Sequence, residues 1–150
     1  MLRAMTTIDF EELEIAMTLE GGETTAYLDV QTGEVLMIFD DFEESEEMEA
    51  RVDADPKRYR VIDPFDTRDD YRTMESFAAT CEDELRDALD DALSGRRGVF
   101  SRFRAVLELH PQHLERWYTH RTEHRAARAR AWLESEGIEA TLRMRTPVSG

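Results

Sequence analysis

Cysteine is nearly missing from this chain: Cys81 is the only one in 150 residues. A lone thiol excludes an intramolecular disulfide and a cysteine-based zinc cluster, and it suits a reducing compartment. Lysine is as scarce, with Lys57 standing alone among the basic residues beside the arginines. Long apolar runs are absent too. The longest, Val35–Phe39, is far too short to cross a bilayer, and no apolar stretch follows the opening Met1-Leu2-Arg3 to make a signal peptide. There is no phosphate loop ending in Gly-Lys, no Gly-x-Gly-x-x-Gly and no Gly-x-Ser-x-Gly. These absences point to a cytoplasmic protein with no cofactor and no membrane partner expected, and they lean against an enzyme without excluding one.

What is present is charge. Of the residues, 35% are charged and 41% hydrophobic, and the net charge is −15. A chain this acidic is repelled by phosphate backbones, so nucleic acid is a disfavoured partner. The charge is also divided. Residues 1–95 hold 28 acids against 8 basic residues, while residues 96–150 hold 11 arginines against 6 glutamates and carry all 4 histidines. Such a split can mark a basic binding face, and its default alternative is mutual neutralisation inside one fold. A protein partner or self-association is the expectation that follows.

At this length one domain is the starting point, able to bury roughly 70% of its unfolded surface. The pattern predicts a single α+β domain over residues 1–150, with 1–8 and 146–150 frayed. Asp9 and Glu12 read as a capping box for a first helix to about Leu19, stopped by Gly21-Gly22. Tyr27–Val30 and Val35–Phe39 flank Thr32-Gly33, where glycine can take the positive φ of a short hairpin. The acidic run Asp40–Glu49 marks a solvated helix face or a loop. Tyr59–Ile62 reads as a third strand. Helices are then predicted from Thr67, through Leu85–Leu93 to a Gly95 cap, around Phe100–Leu107, and from Pro111 to Gly137. Ile138–Leu142 alternates like a returning strand. The sum is a small antiparallel sheet packed against four or five helices.

With Tyr27-Leu28-Asp29, Thr32-Gly33-Glu34-Val35, Asp69-Asp70-Tyr71, Gly95-Arg96, Phe100-Ser101-Arg102-Phe103, Trp117-Tyr118 and Trp132-Leu133 in this order, the chain resembles an uncharacterised bacterial protein family known only by placeholder names. The resemblance covers roughly residues 9–140 and is most specific from Gly95 to Leu107. It implies a small cytoplasmic bacterial protein and supplies no catalytic or binding residues. In that family Gly-Arg-Gly is usual where this chain has Gly95-Arg96-Arg97-Gly98, and His120 and His124 are not part of its pattern.

Two stretches are candidates for a site. The Gly95–Arg104 corner sets Arg96, Arg97 and Arg102 beside a glycine-led helix start that can face an anion, or else forms a connector whose arginines answer nearby acids. The long helix sets Arg121 and Arg128 in one stripe with Trp117 and Trp132, with Arg125 alongside. Arginines there must meet carboxylates, an anionic ligand or solvent, since an unpaired buried charge costs several kcal/mol. The anion- or partner-binding set is therefore Arg96, Arg97, Arg102, Arg121, Arg125 and Arg128. His120-Arg121-Thr122-Glu123-His124 matches the zinc-hydrolase pattern H-x-x-E-H, but the crowding arginines would repel a dication, so no metal is expected. The primary reading is an interaction or regulatory module; the alternative is an anion- or RNA-binding protein.

Overall fold

The structure, a computed structural model, describes residues 6–19, 24–39, 44–95 and 97–144. The chain divides into two compact units, one formed by residues up to Phe65 together with those from Ala126 onward, the other by Asp66–Arg125.

The first unit carries the strands. β1 (Thr6–Asp9) leads into α1 (Phe10–Met17); β2 (Thr24–Asp29) and β3 (Val35–Phe39) precede α2 (Glu44–Ala54) and β4 (Tyr59–Val61). Strands β3-β2-β4 form the antiparallel sheet that the Gly33 signal predicts, with Leu28 opposite Val35 and Asp29 opposite Tyr59. Gly33 sits at φ +81°, and a Cβ there would collide with the backbone oxygen of Thr7. Two reasons thus coincide: the turn needs a left-handed residue, and the neighbouring strand leaves no room for a side chain. α1 is capped as expected, Asp9 accepting from the backbone N–H groups of Glu11 and Glu12. The Gly21-Gly22 stop lies outside the described residues. The acidic run proves helical over the residues of α2, whose Val52 packs with Leu36, Ile38 and Tyr59.

One expectation needs correction here. Residues 6–8 do not fray, because β1 pairs with β5 (Ala140–Arg143) as a parallel two-stranded sheet, Ile8 opposite Leu142. Ile8 is buried in the main core of this unit, with Phe10, Leu13, Met17 and Leu28. Burying that side chain stabilises the strand by roughly 1.5–3 kcal/mol, enough to hold a short segment in place. Residues 146–150 lie outside the described residues.

The second unit is helical: α3 (Thr67–Ala78), α4 (Asp83–Leu93), α5 (Val99–Glu108) and the first part of α6 (Pro111–Ser135). Its core joins Met74, Phe77, Cys81, Leu89, Phe103, Leu107 and Trp117. The rings meet edge to face, Phe77 5.5 Å from Trp117 and Phe103 5.0 Å from Trp117, a geometry that adds about 0.5–1.5 kcal/mol per pair beyond burial. Cys81 is a buried free thiol in this core. α6 also supplies Ala126, Ala129, Trp132 and Leu133 to the core of the first unit. The described residues hold six helices in all, and none is long and apolar enough to cross a membrane.

Two helix ends differ from their predicted form. Asp66, rather than Thr67, caps α3, accepting from the Arg68 N–H at 2.9 Å. Ser94, not Gly95, is the C-cap of α4. Gly95 has another reason to lack a side chain, because a Cβ there would overlap the guanidinium of Arg102.

Candidate functional site

Five of the six predicted arginines lie among the described residues. Arg96 lies outside the described residues. Arg102 turns inward along its own connector: its Nε and Nη2 donate to the carbonyl of Ala92 at 3.3 and 3.2 Å, and Nη1 donates to the carbonyl of Arg97. It thereby serves the C-terminus of α4, where carbonyls lack helical partners and a cation is favoured. Arg97 is exposed. Arg128 belongs to the first unit, beside Asp63, Phe65 and Trp132 at a depression of about 270 Å³.

Arg121 and Arg125 do meet. One turn apart on α6, they line a cleft of about 200 Å³ with Asp70 and Met74 of α3, Phe100, Phe103 and Arg104 of α5, and Trp117 and Tyr118 of α6. Arg125 lies 4.0 Å from the Asp70 carboxylate, and the Arg121 guanidinium stacks 5.0 Å from the Tyr118 ring centroid. Burial pushes the Asp70 carboxyl above the usual range, and the charges of Arg125 and Arg121 oppose that push without cancelling it. Arg104 pairs with Glu108 one turn along α5 at 3.1 Å, an exposed contact worth under about 1 kcal/mol. Phe100 is 51% exposed, one of six large apolar side chains exposed among the described residues. The lining thus combines three arginines, one carboxylate and an aromatic wall.

Sequence reasoning named Arg121 and Arg125 but missed Asp70, Arg104 and Phe100 as their companions. The helical spacing of Phe100, Phe103 and Arg104 was visible. Nothing in it showed that α3 would bring one particular carboxylate opposite.

A larger, shallower depression of about 430 Å³ is lined by Phe77, Gln112, Glu115, Arg116, His120 and Glu123. Its lining sets two glutamates against one arginine, a balance that does not favour an anion. His120 is committed there: its Nε2 lies 2.9 Å from the Ser76 hydroxyl, which itself donates to the Thr73 carbonyl. Burial, then the neighbouring His124, lowers the His120 pKa, with the Thr73 carbonyl and Glu123 acting the other way. Among the described residues no group of three or more His, Cys, Asp or Glu side chains could hold a metal ion.

The pattern of the Uncharacterised protein family (UPF0158) matches residues 3–150. The chain belongs to that family. A curated relative, the UPF0158 protein PA5073 of Pseudomonas aeruginosa, is 32% identical over 138 residues, covering 91% of this chain and 88% of its own length. No solved structure matches the chain. Membership in UPF0158 carries no activity with it.

Proposed function

We propose that this UPF0158 chain is a cytoplasmic, non-enzymatic binding module that recognises an anionic group in the cleft of Arg104, Arg121 and Arg125. The observation that carries the reading is the lining itself: three guanidiniums against one carboxylate whose own ionisation is disfavoured by burial. Guanidinium groups bind phosphate or carboxylate oxygens through charge-assisted hydrogen bonds, each worth about 1.5–3 kcal/mol. An anion borne by a protein partner would use the same contacts, so the interaction role and the anion role converge on one site. The cytoplasmic setting rests on the lone buried thiol.

The test is calorimetric titration of the full chain with pyrophosphate at low salt, beside Arg104→Gln, Arg121→Gln and the double variant. Loss of one charge-assisted contact should weaken binding about 10-fold or more. Equal affinity in wild type and double variant, or no binding to either, removes the reading.

A further inference from the structure

The parallel β1–β5 pair of the first unit has one open edge. β1 meets the β2–β3 turn: Thr6 Oγ1 donates to the Val30 carbonyl at 3.3 Å, and the Gly33 backbone lies against the Thr7 carbonyl. β5 has β1 as its only strand neighbour among the described residues. A strand in that position presents unpaired N–H and C=O groups along its outer side. Proline and lysine, which guard many such edges, are missing from Ala140-Thr141-Leu142-Arg143.

The order of side chains selects what the edge can accept. Glu139, Thr141 and Arg143 are exposed on one face, while Ile138, Ala140 and Leu142 are partly buried on the other, against the core of this unit. Met144, next on the apolar side, is 38% exposed. In a second copy turned antiparallel about Thr141, Glu139 falls opposite Arg143, Ala140 opposite Leu142 and Ile138 opposite Met144, each pair occurring twice by symmetry. A parallel copy in register sets Glu139 against Glu139 and Arg143 against Arg143, which is repulsive. Glu139 forms no ion pair among the described residues. Arg143 already touches Asp9 at 3.4 Å, yet 69% of its side chain stays exposed, and a guanidinium has donors enough for a second carboxylate.

We infer that β5 is a docking edge for the β5 of a second copy, the two chains joining as a symmetric dimer through an antiparallel ladder centred on Thr141. The strands β1-β5-β5-β1 then make one sheet. This inference is independent of the anion-binding cleft and uses no residue of it. A ladder of four-residue strands falls short of the roughly 1,200 Å² of a stable interface, and each copy carries a net charge of −15. The dimer is therefore weak and reversible. Salt near 0.15 M favours it by screening the repulsion between copies.

Sedimentation equilibrium of the full chain at that salt, from about 1 μM to about 1 mM, should show monomer and dimer in exchange. Glu139→Arg sets like charges opposite at both symmetric positions and should weaken the dimer about 10-fold. It does so although it makes each chain less negative, which by itself would ease association. Glu139→Gln should fall between this variant and wild type. Arg143→Glu alone should also weaken the dimer. An equimolar mixture of Glu139→Arg with Arg143→Glu should recover it, because every cross-strand pair is again of opposite sign. Should Arg143→Glu unfold through loss of the Asp9 contact, as circular dichroism would report, the graded series at Glu139 carries the test alone. A chain that stays monomeric throughout overturns the inference and leaves the edge to a different partner. A dimer indifferent to Glu139→Arg, or folded variants whose mixture does not recover, places the contact elsewhere and overturns it equally.

Discussion

Asp29 closes the β2–β3 turn from inside. It is 1% exposed, its Oδ1 accepts from the N–H groups of Gln31 and Thr32 and from Arg58 Nε, and its Oδ2 accepts from Arg58 Nη2 at 2.9 Å. Burial alone would raise its pKa; the Arg58 fork and the two backbone donors outweigh burial and lower it to about 2. The unfolded value is near 3.9. A carboxylate depressed on folding contributes stability above its unfolded pKa and loses it as pH falls through the folded one. That contribution is about 2 kcal/mol at neutral pH. Asp29→Asn should therefore destabilise the protein by about 2–3 kcal/mol at pH 7, with the gap to wild type closing towards pH 2. Urea midpoints at several pH values measure it, and a gap independent of pH would rule out the ionised pair as its source.

Asp70 is the opposite case. Its raised pKa means that any stability tied to its protonation is present below the unfolded pKa and lost as pH rises through the folded one. At pH 7 its charge does not help the fold. Replacing it with Asn should leave the urea midpoint level or higher while tightening anion binding about 10-fold, since one negative charge leaves the cleft. Sulfate, which does not titrate in this range, should bind more tightly as pH falls through the Asp70 transition. The groups facing that carboxylate are Arg121 and Arg125 from α6, with Asp66 and Asp69 from its own end of α3. Unchanged sulfate affinity in Asp70→Asn would place Asp70 outside the site.

At the scale of elements, Arg102 ties the α4–α5 connection together. Arg102 reaches back to the Ala92 carbonyl, and Gly95 leaves the space that its guanidinium fills. Arg102→Ala should cost about 1–2 kcal/mol through the lost carbonyl contacts and the lost charge at the helix end. Gly95→Ala should cost a similar amount by displacing the same guanidinium. The two are coupled, so the double variant should be less destabilised than the sum of the singles. Additive melting shifts would show that Gly95 acts through its own backbone instead. This is also where sequence reading reaches its limit. The glycines, the arginines and the start of α5 were all visible, but the direction in which Arg102 points was not. An outward guanidinium and an inward one leave the same pattern in the chain. The β2–β3 hairpin was readable because its signal is local, within a few residues of Gly33. The β1·β5 pair was not, since parallel strands four residues long and far apart in sequence carry no turn to announce them. Asp70 was hidden for a different reason: 34 acidic residues make any single one undistinguished until packing selects it.

At the scale of the whole molecule, α6 is one unbroken helix by sequence and by structure. It nevertheless serves two cores, Trp117 in one and Ala126, Ala129 and Trp132 in the other. Helical periodicity continues unchanged through that handover, so no punctuation in the sequence reports it. Net charge acts at this scale as well. With −15 charges, the folded chain repels itself over a screening length of about 30 Å at 10 mM salt, which shrinks to about 8 Å at 0.15 M. Screening also weakens ion pairs, but pairs such as Arg86–Asp90 and Arg104–Glu108 are exposed and worth little. The Asp29–Arg58 pair, whose carboxylate is buried, is screened far less. Relief of self-repulsion should therefore win. Raising salt from 10 to 150 mM should raise Tm by a few degrees, since 1 kcal/mol corresponds to roughly 2–4 °C for a chain of this size. Anion affinity at the Arg104–Arg121–Arg125 cleft should fall over the same interval, because there the attraction itself is screened. Calorimetric scans and titrations on one salt series measure both. A Tm that falls with salt would mean that attractive pairs, not self-repulsion, govern the fold, and an anion affinity indifferent to salt would mean that guanidinium charge does not hold the ligand.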